Sequence, residues 1–138
     1  MLRLPLLWAA LTLIPGLARA DEPKVIPSAE AKDHVDKECI VEMTVKSGRV
    51  MADKNVCFLN SESRPSDDKN FTAFIGRKAL KIFQEEKKIP NPPDKYVGKK
   101  IRVKGKIKLH KGKPEIEIDN PDQIEEVTES TTEESKTK

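Results

Sequence analysis

Apolar and polar residues alternate along much of the chain between residues 39 and 118. The clearest case is 39–46, where Cys39, Val41, Met43 and Val45 are apolar and the positions between them are mostly polar. A period of two is typical of a strand with one buried face. The same reasoning predicts five strands in all, at 39–46, 56–60, 71–75, 101–109 and 115–118.

The period changes between the third and fourth predicted strands. In 77–87, Ala79, Leu80 and Phe83 fall near helical spacing, and no proline occurs until Pro90. This predicts one helix. Gly105 interrupts the fourth strand and indicates a bulge or bend, and 111–113 predicts a tight turn. The predicted fold is all-β, a five-stranded OB-like barrel with one helix between strands 3 and 4.

The two ends of the chain differ from this middle part. Residues 1–20 have a charged start, an apolar run and the ending Ala18-Arg19-Ala20, which is the layout of a secretory signal peptide. The sequence predicts cleavage after Ala20, no membrane span after cleavage, and a periplasmic or secreted protein. Residues 21–28 are predicted to be a linker, 29–127 the folded domain, and 128–138, which lack apolar residues, a disordered tail.

The net charge of the whole chain is too small to predict polyanion binding. The chain has 26 basic and 23 acidic residues. Loss of Arg3 and Arg19 with the signal peptide leaves 24 basic residues, a net charge of only +1. Any electrostatic argument must therefore depend on where the charges lie.

Cys39 and Cys57 lie in successive predicted strands of an exported chain, where a disulfide between them could form and persist. The alternative is that both are small buried core residues. The two histidines, His34 and His110, are far apart in the sequence, so no metal site or cofactor is predicted.

Several segments resemble bacterial exported OB-fold domains of the nucleic-acid-binding type. They are GKKIRVKGKI at 98–107, GKPEIEI at 112–118, NPDQI at 120–124, VCFLN at 56–60 and NFTAFI at 70–75. The resemblance covers about residues 35–127. It implies the OB barrel more strongly than it implies a ligand, because the matching residues are mainly glycines, a proline and core aliphatic residues.

A cluster of basic residues provides the first candidate binding surface. Residues 97–114 contain eight basic residues and no acidic ones. Alternation places four of them on the outer face of the fourth strand: Arg102, Lys104, Lys106 and Lys108. This basic stripe could follow a phosphate backbone. Alternatively, it is a solvated face balanced by Glu115 and Glu117 on the next strand.

Aromatic residues and loops complete the candidate site. Phe58 and Phe74 are predicted stacking surfaces for bases, and the loops around Arg49 and 111–113 add positive charge. The predicted nucleic-acid-binding residues are Arg49, Phe58, Phe74, Arg102, Lys104, Lys106, Lys108, Lys111 and Lys113.

No catalytic constellation is visible, so the sequence predicts a binding protein rather than an enzyme. The expected partner is nucleic acid or another polyanion. The alternative is a cell-envelope module that binds a protein or an oligosaccharide. Asn70-Phe71-Thr72 matches the glycosylation pattern by chance on this interpretation.

Overall fold

A computed structural model describes residues 23–128 of the 138-residue chain. The predicted signal peptide, residues 1–20, lies outside the described residues, as does the predicted tail beyond Thr128. Both therefore stay predictions.

The described residues form eight strands and two α-helices. The strands are β1 (Lys24–Pro27), β2 (Glu38–Thr44), β3 (Ser47–Met51), β4 (Val56–Asn60), β5 (Thr72–Ile75), β6 (Lys100–His110), β7 (Lys113–Ile118) and β8 (Ile124–Glu126). The helices are α1 (Arg77–Glu85) and α2 (Pro92–Tyr96). Two 3₁₀ helices, Ser28–His34 and Pro121–Gln123, precede β2 and β8.

The predicted β-rich fold is confirmed, and the predicted helix is α1, between the strands at 72–75 and 100–110. The prediction of a single helix in this interval is wrong, because α2 follows α1 and begins at Pro92, where proline fits the first turn of a helix. The predicted count of five strands is wrong for the part of the chain that the structure describes. β1, β3 and β8 are additional, because each is short and none shows a sustained alternation that would mark it in the sequence.

The strands form one mixed sheet. Its order is β1-β2-β6-β7-β5-β4-β3, with β8 also paired to β6. β1 pairs with β2 in parallel and β5 pairs with β7 in parallel, while the other pairs are antiparallel. The two ends of this path are not hydrogen-bonded to each other, so the sheet is not a closed barrel.

β2 and β3 follow one another in the chain with only two residues between them. The Val45 amide donates to the Lys99 carbonyl on the β6 side, and the Lys46 amide donates to the Asn60 carbonyl on the β4 side, each at 2.9 Å. The chain therefore leaves one part of the sheet and enters the other at Val45 and Lys46.

β6 changes partner near Gly105, the interior glycine from which the sequence predicts a bulge or bend. Residues 100–106 pair with β2, whereas Ile107 to His110 pair with β7. A Cβ added at Gly105 would lie 2.6 Å from Cγ2 of Ile116. Only glycine allows β7 to approach β6 this closely at the point where β6 changes partner.

The predicted linker at 21–28 is wrong for Lys24–Pro27, which forms β1. Ile26 is 1% exposed and belongs to the core. Backbone pairing with β2, from Lys24 opposite Cys39 to Pro27 opposite Glu42, fixes the segment. Burial of a single large aliphatic residue explains why this proline-containing stretch is ordered.

The core contains both cysteines, and both are free. Cys39 lies in β2 opposite Gly105, and Cys57 lies in β4 between Val50 and Ile75. Since β2 and β4 are not neighbouring strands, the predicted disulfide is absent and the core alternative is the one observed. Burial raises the pKa of the Cys57 thiol to about 12, as expected for a buried thiol.

Candidate ligand-binding groove

The outer face of β3, β4, β5 and β7 carries a row of side chains directly opposite one another. Arg49 pairs with Phe58, Phe58 with Phe74, and Phe74 with Glu117. The rings of Phe58 and Phe74 are half-buried, with centroids 5.3 Å apart and planes tilted by 50°. Alternation on β4 and β5 turns these two rings away from Cys57, Leu59, Ala73 and Ile75 in the core.

A groove of about 460 Å³ lies along one end of this face. Its floor is formed by β3, β4 and β5, and its sides by residues 65–70 and by the turn between β6 and β7. The lining residues are Arg49, Met51, Phe58, Asn60, Pro65, Ser66, Asn70, Thr72, His110, Lys111, Lys113, Pro114 and Glu115. These residues include one phenyl ring, that of Phe58, four basic or imidazole side chains, and one carboxyl group.

The loop at 61–70 is held by a buried polar network. Asn70 is 1% exposed. Its Oδ1 accepts from the Glu62 amide at 3.1 Å, while its Nδ2 donates to Asn60 Oδ1 at 3.3 Å and to Thr72 Oγ1 at 3.2 Å. Thr72 Oγ1 also donates to Asn60 Oδ1 at 2.9 Å. The glycosylation pattern at Asn70 is thus buried inside the fold.

The opposite side of the groove is a two-residue hairpin turn. Lys111 and Gly112 both have positive φ, 52° and 80°. This is the arrangement of a type I′ turn, which favours glycine at such a position. Just beyond it, Lys113 Nζ donates to the Pro65 carbonyl at 2.9 Å, linking the turn to the 61–70 loop across the groove.

Glu115 is the one carboxylate among the groove's lining residues. It lies opposite Thr72 on β5 and Lys108 on β6. Burial raises the pKa of the Glu115 carboxyl, His110 lowers it, and Glu117 raises it, with burial the largest effect. An anionic ligand in the groove would therefore meet a carboxyl group that is already costly to ionise.

The predicted site residues do not form one surface. Arg49, Phe58, Lys111 and Lys113 line the groove, and Phe74 contacts Phe58 just outside it. A separate cleft of about 580 Å³ holds three of the predicted lysines, Lys104, Lys106 and Lys108. The carboxyl groups in that cleft come from Glu38, Glu117, Asp119 and Asp122.

Arg102 belongs to neither cavity. It is half-buried on β6, opposite Glu42 of β2 and Glu125 of β8. Within residues 23–128, its Nε is the only buried side-chain nitrogen or oxygen without a hydrogen-bond partner. Opposite-charge neighbours across the strands are typical of a solvated sheet face.

Across the described part of the chain, no group of three or more His, Cys, Asp or Glu residues is placed to hold a metal ion. Over the same residues, the helices are too short or too polar to cross a membrane.

Comparison with known proteins adds information about the fold. No protein-family model and no curated protein matches the chain. OBody AM1L10, in its structure bound to hen egg-white lysozyme, is similar with a TM-score of 0.51 and 16% identity, covering 78% of this chain and 97% of that one. A chain described as an aspartyl-tRNA synthetase from Leishmania major Friedlin is similar over 83% of this chain, with a TM-score of 0.47 and 16% identity. This protein spans 22% of that synthetase chain.

Sequence reasoning missed Asn60, Thr72, Asn70 and Glu115 as parts of the groove. Asn60 and Thr72 share a strand face with Phe58 and Phe74, so the period of two could have identified them. Asn70 could not be found this way, because its role depends on how the loop folds back onto β4.

Proposed function

We propose that this protein is an exported, non-enzymatic binding protein of OB type, whose groove binds nucleic acid or another polyanion. Export is inferred from the signal-peptide pattern of residues 1–20. The ligand is inferred from the groove.

The order of the strands supports the OB-type fold. If β2 and β3 are counted as one bent strand and the short β1 and β8 are set aside, five strands remain, with the helices after the third. That bent strand then pairs with both β4 and β6, while β7 lies between β5 and β6. A five-stranded, partly open barrel with this layout is an OB-fold. The likeness to OBody AM1L10 supports the same fold.

One observation carries the ligand proposal: Phe58 lies in the same groove as Arg49, Lys111 and Lys113. Single-strand binders combine an aromatic surface, on which a base stacks, with cations that contact the backbone. OB-folds bind oligonucleotides on the face of strands 2 and 3 beside the loops 1–2 and 4–5. Here β4 and β5 provide that face, and Lys111 lies in the turn corresponding to loop 4–5.

The test is a fluorescence-anisotropy titration of the purified protein with short single-stranded and duplex DNA and RNA, at low and moderate salt. Arg49→Glu with Lys111→Glu reverses two groove charges. Lys104→Glu with Lys106→Glu is the matched control, since it makes the same change in net charge on the other cleft. We expect the groove pair to lower affinity by more than about 10-fold and the control pair by much less. A larger loss in the control pair would move the site to the basic stripe.

A second candidate is a cell-envelope module that binds an oligosaccharide or a protein. The observation that favours it is the number of carboxyl groups: Glu115 in the groove and four more around the lysines of β6. These groups lower the attraction for a polyanion. Absence of nucleic-acid binding even at low salt, together with saturable binding of a neutral glycan, would favour this candidate.

A further inference from the structure

The orientation of the Asn60 side-chain amide follows from that of Asn70, which is fixed by two backbone groups. The Glu62 backbone amide can only donate, so the atom of Asn70 that it contacts at 3.1 Å must be Oδ1. Nδ2 of Asn70 therefore faces Asn60 and donates to it at 3.3 Å. Nδ2 of Asn70 also reaches the Pro65 carbonyl, which can only accept, at 3.4 Å. These two backbone contacts leave Asn70 one orientation.

The same reasoning extends to Asn60. Its Oδ1 accepts from Asn70 Nδ2 and from the Thr72 hydroxyl. Its Nδ2 makes none of the hydrogen bonds among residues 23–128. Asn60 is only 4% exposed, yet Nδ2 is not among the fully buried atoms lacking a partner. The exposed part of this side chain therefore includes Nδ2, which opens into the groove that Asn60 lines.

Phe58 lies two residues before Asn60 on the same face of β4, about 7 Å away along the strand. A planar ring packed against Phe58 would present its edge to the Asn60 amide. Two cations of the groove, Arg49 opposite Phe58 and Lys111 in the hairpin turn, are exposed. Lys113 and Glu115 are half-buried, and Lys113 Nζ already donates to the Pro65 carbonyl. Phosphate groups of a ligand would contact the exposed Arg49 and Lys111. The uncharged polar edge of a base would lie at the Asn60 amide.

We propose that Asn60 is a specificity-determining residue of this groove, donating a hydrogen bond from Nδ2 to an acceptor on the edge of an unpaired nucleobase packed against Phe58. The inference rests on the proposed function and narrows it, from any polyanion to a single strand with exposed bases. A bare polyanion has no ring to place between Phe58 and Asn60.

The first experiment changes the ligand and leaves the protein intact. The purified protein is titrated with an oligothymidylate of about 12 nucleotides, within the site size of one OB-type domain. It is also titrated with the same strand carrying difluorotoluene, the apolar isostere of thymine, and with an abasic strand of equal charge. We expect the thymine strand to bind about 10-fold or more tightly than either analogue, because the analogues leave the Asn60 donor unpaired.

The second experiment assigns the effect to Asn60. Asn60→Asp keeps the oxygen that accepts from Asn70 and Thr72 but removes the donor. Asn120→Asp is the matched control: it makes the same chemical change and keeps the oxygen that accepts from the Asp122 amide at 2.9 Å. The ratio of thymine to difluorotoluene affinity should fall to near one in Asn60→Asp and stay unchanged in Asn120→Asp. Taking the ratio cancels the effect of the added charge.

Each remaining outcome decides a different point. Equal binding of all three strands by the wild type overturns the role of Asn60 but leaves the polyanion proposal standing. Absence of binding to every strand at low salt overturns both. If Asn60→Asp does not fold, ¹⁵N spectra of the wild type still decide. The Asn60 side-chain amide should shift with the thymine strand and not with its isostere, and no shift with either strand overturns the inference.

Discussion

At the residue scale, Phe58 and Phe74 contact each other, but only one of the two rings is accessible to a ligand in the groove. Phe58 lines the groove and Phe74 does not. Replacing either with alanine removes the ring pair, worth about 1 kcal/mol, so both variants should lose a similar amount of stability in urea denaturation.

Binding should separate the same two variants. Loss of a base-stacking surface costs about 1–3 kcal/mol, so Phe58→Ala should raise the Kd for a single strand about 5- to 150-fold. Phe74→Ala should change it several-fold less. Equal effects in anisotropy titrations would show that the ligand covers the whole aromatic row rather than the groove.

Glu115 makes stability depend on pH with a predictable sign. Burial raises its pKa above the ordinary 4.5, so between the unfolded and folded pKa values the native state holds more protons than the unfolded state. Stability from this group is thus present at acid pH and falls as pH rises through that window. Glu115→Gln should be more stable than the wild type at pH 7, and the difference should vanish near about pH 3.5.

The measurement is urea denaturation at both pH values, with Glu117→Gln as the control. Glu117 is exposed on the same strand, so its replacement should change stability by less than about 0.5 kcal/mol. If Glu115→Gln were less stable than the wild type at pH 7, the carboxylate would have a stabilising partner there.

For Lys104, Lys106 and Lys108, the sequence predicts the strand face but only part of the surroundings. Alternation predicts that they share the outer face of β6, and the strand is observed. Their surroundings depend on register, which pairs Lys106 with Glu38 and Lys108 with Glu115. The Lys108–Glu115 pair lies within one hairpin and is the alternative that the sequence already offers. Lys106 and Glu38 lie far apart in the chain and meet only because residues 100–106 of β6 pair with β2, which a local pattern does not reveal.

At the element scale, β1 tests whether a short segment outside the alternating pattern contributes to the fold. Ile26 is 1% exposed and its neighbour Val25 is 43% exposed on the opposite face. Truncation of a buried isoleucine to alanine costs about 2–5 kcal/mol. Ile26→Ala should therefore lower the urea midpoint markedly, while Val25→Ala should stay within about 0.5 kcal/mol of the wild type.

The m-values of the two variants should equal that of the wild type, because only then does a shift of the urea midpoint measure a change in stability. Similar small effects from both would show that β1 is not docked in solution. The sequence predicts a linker here because residues 21–28 contain two prolines and no apolar periodicity. Its order comes from one buried side chain and from backbone pairing with β2, which only the tertiary structure reveals.

At the scale of the whole molecule, the net charge is small, so the positions of the charged side chains decide where an anionic ligand binds. The salt dependence of binding then measures how many of these side chains contact the ligand. For single strands, the slope of log K against log salt is about −0.7 for each phosphate contacted. Contacts from Arg49, Lys111 and Lys113 alone give a slope of about −2. Participation of Lys104, Lys106 and Lys108 as well gives about −4.

We expect the shallower slope. The lysines of β6 share their cleft with four carboxyl groups, which cancel most of their attraction for phosphate, while the groove contains Glu115 alone. Anisotropy titrations of a short oligonucleotide across a series of salt concentrations measure the slope directly. A value near −4 that Lys104→Glu with Lys106→Glu brings to about −3, because four contacts remain, would mean that the strand continues from the groove onto β6 and that the basic stripe belongs to the binding surface.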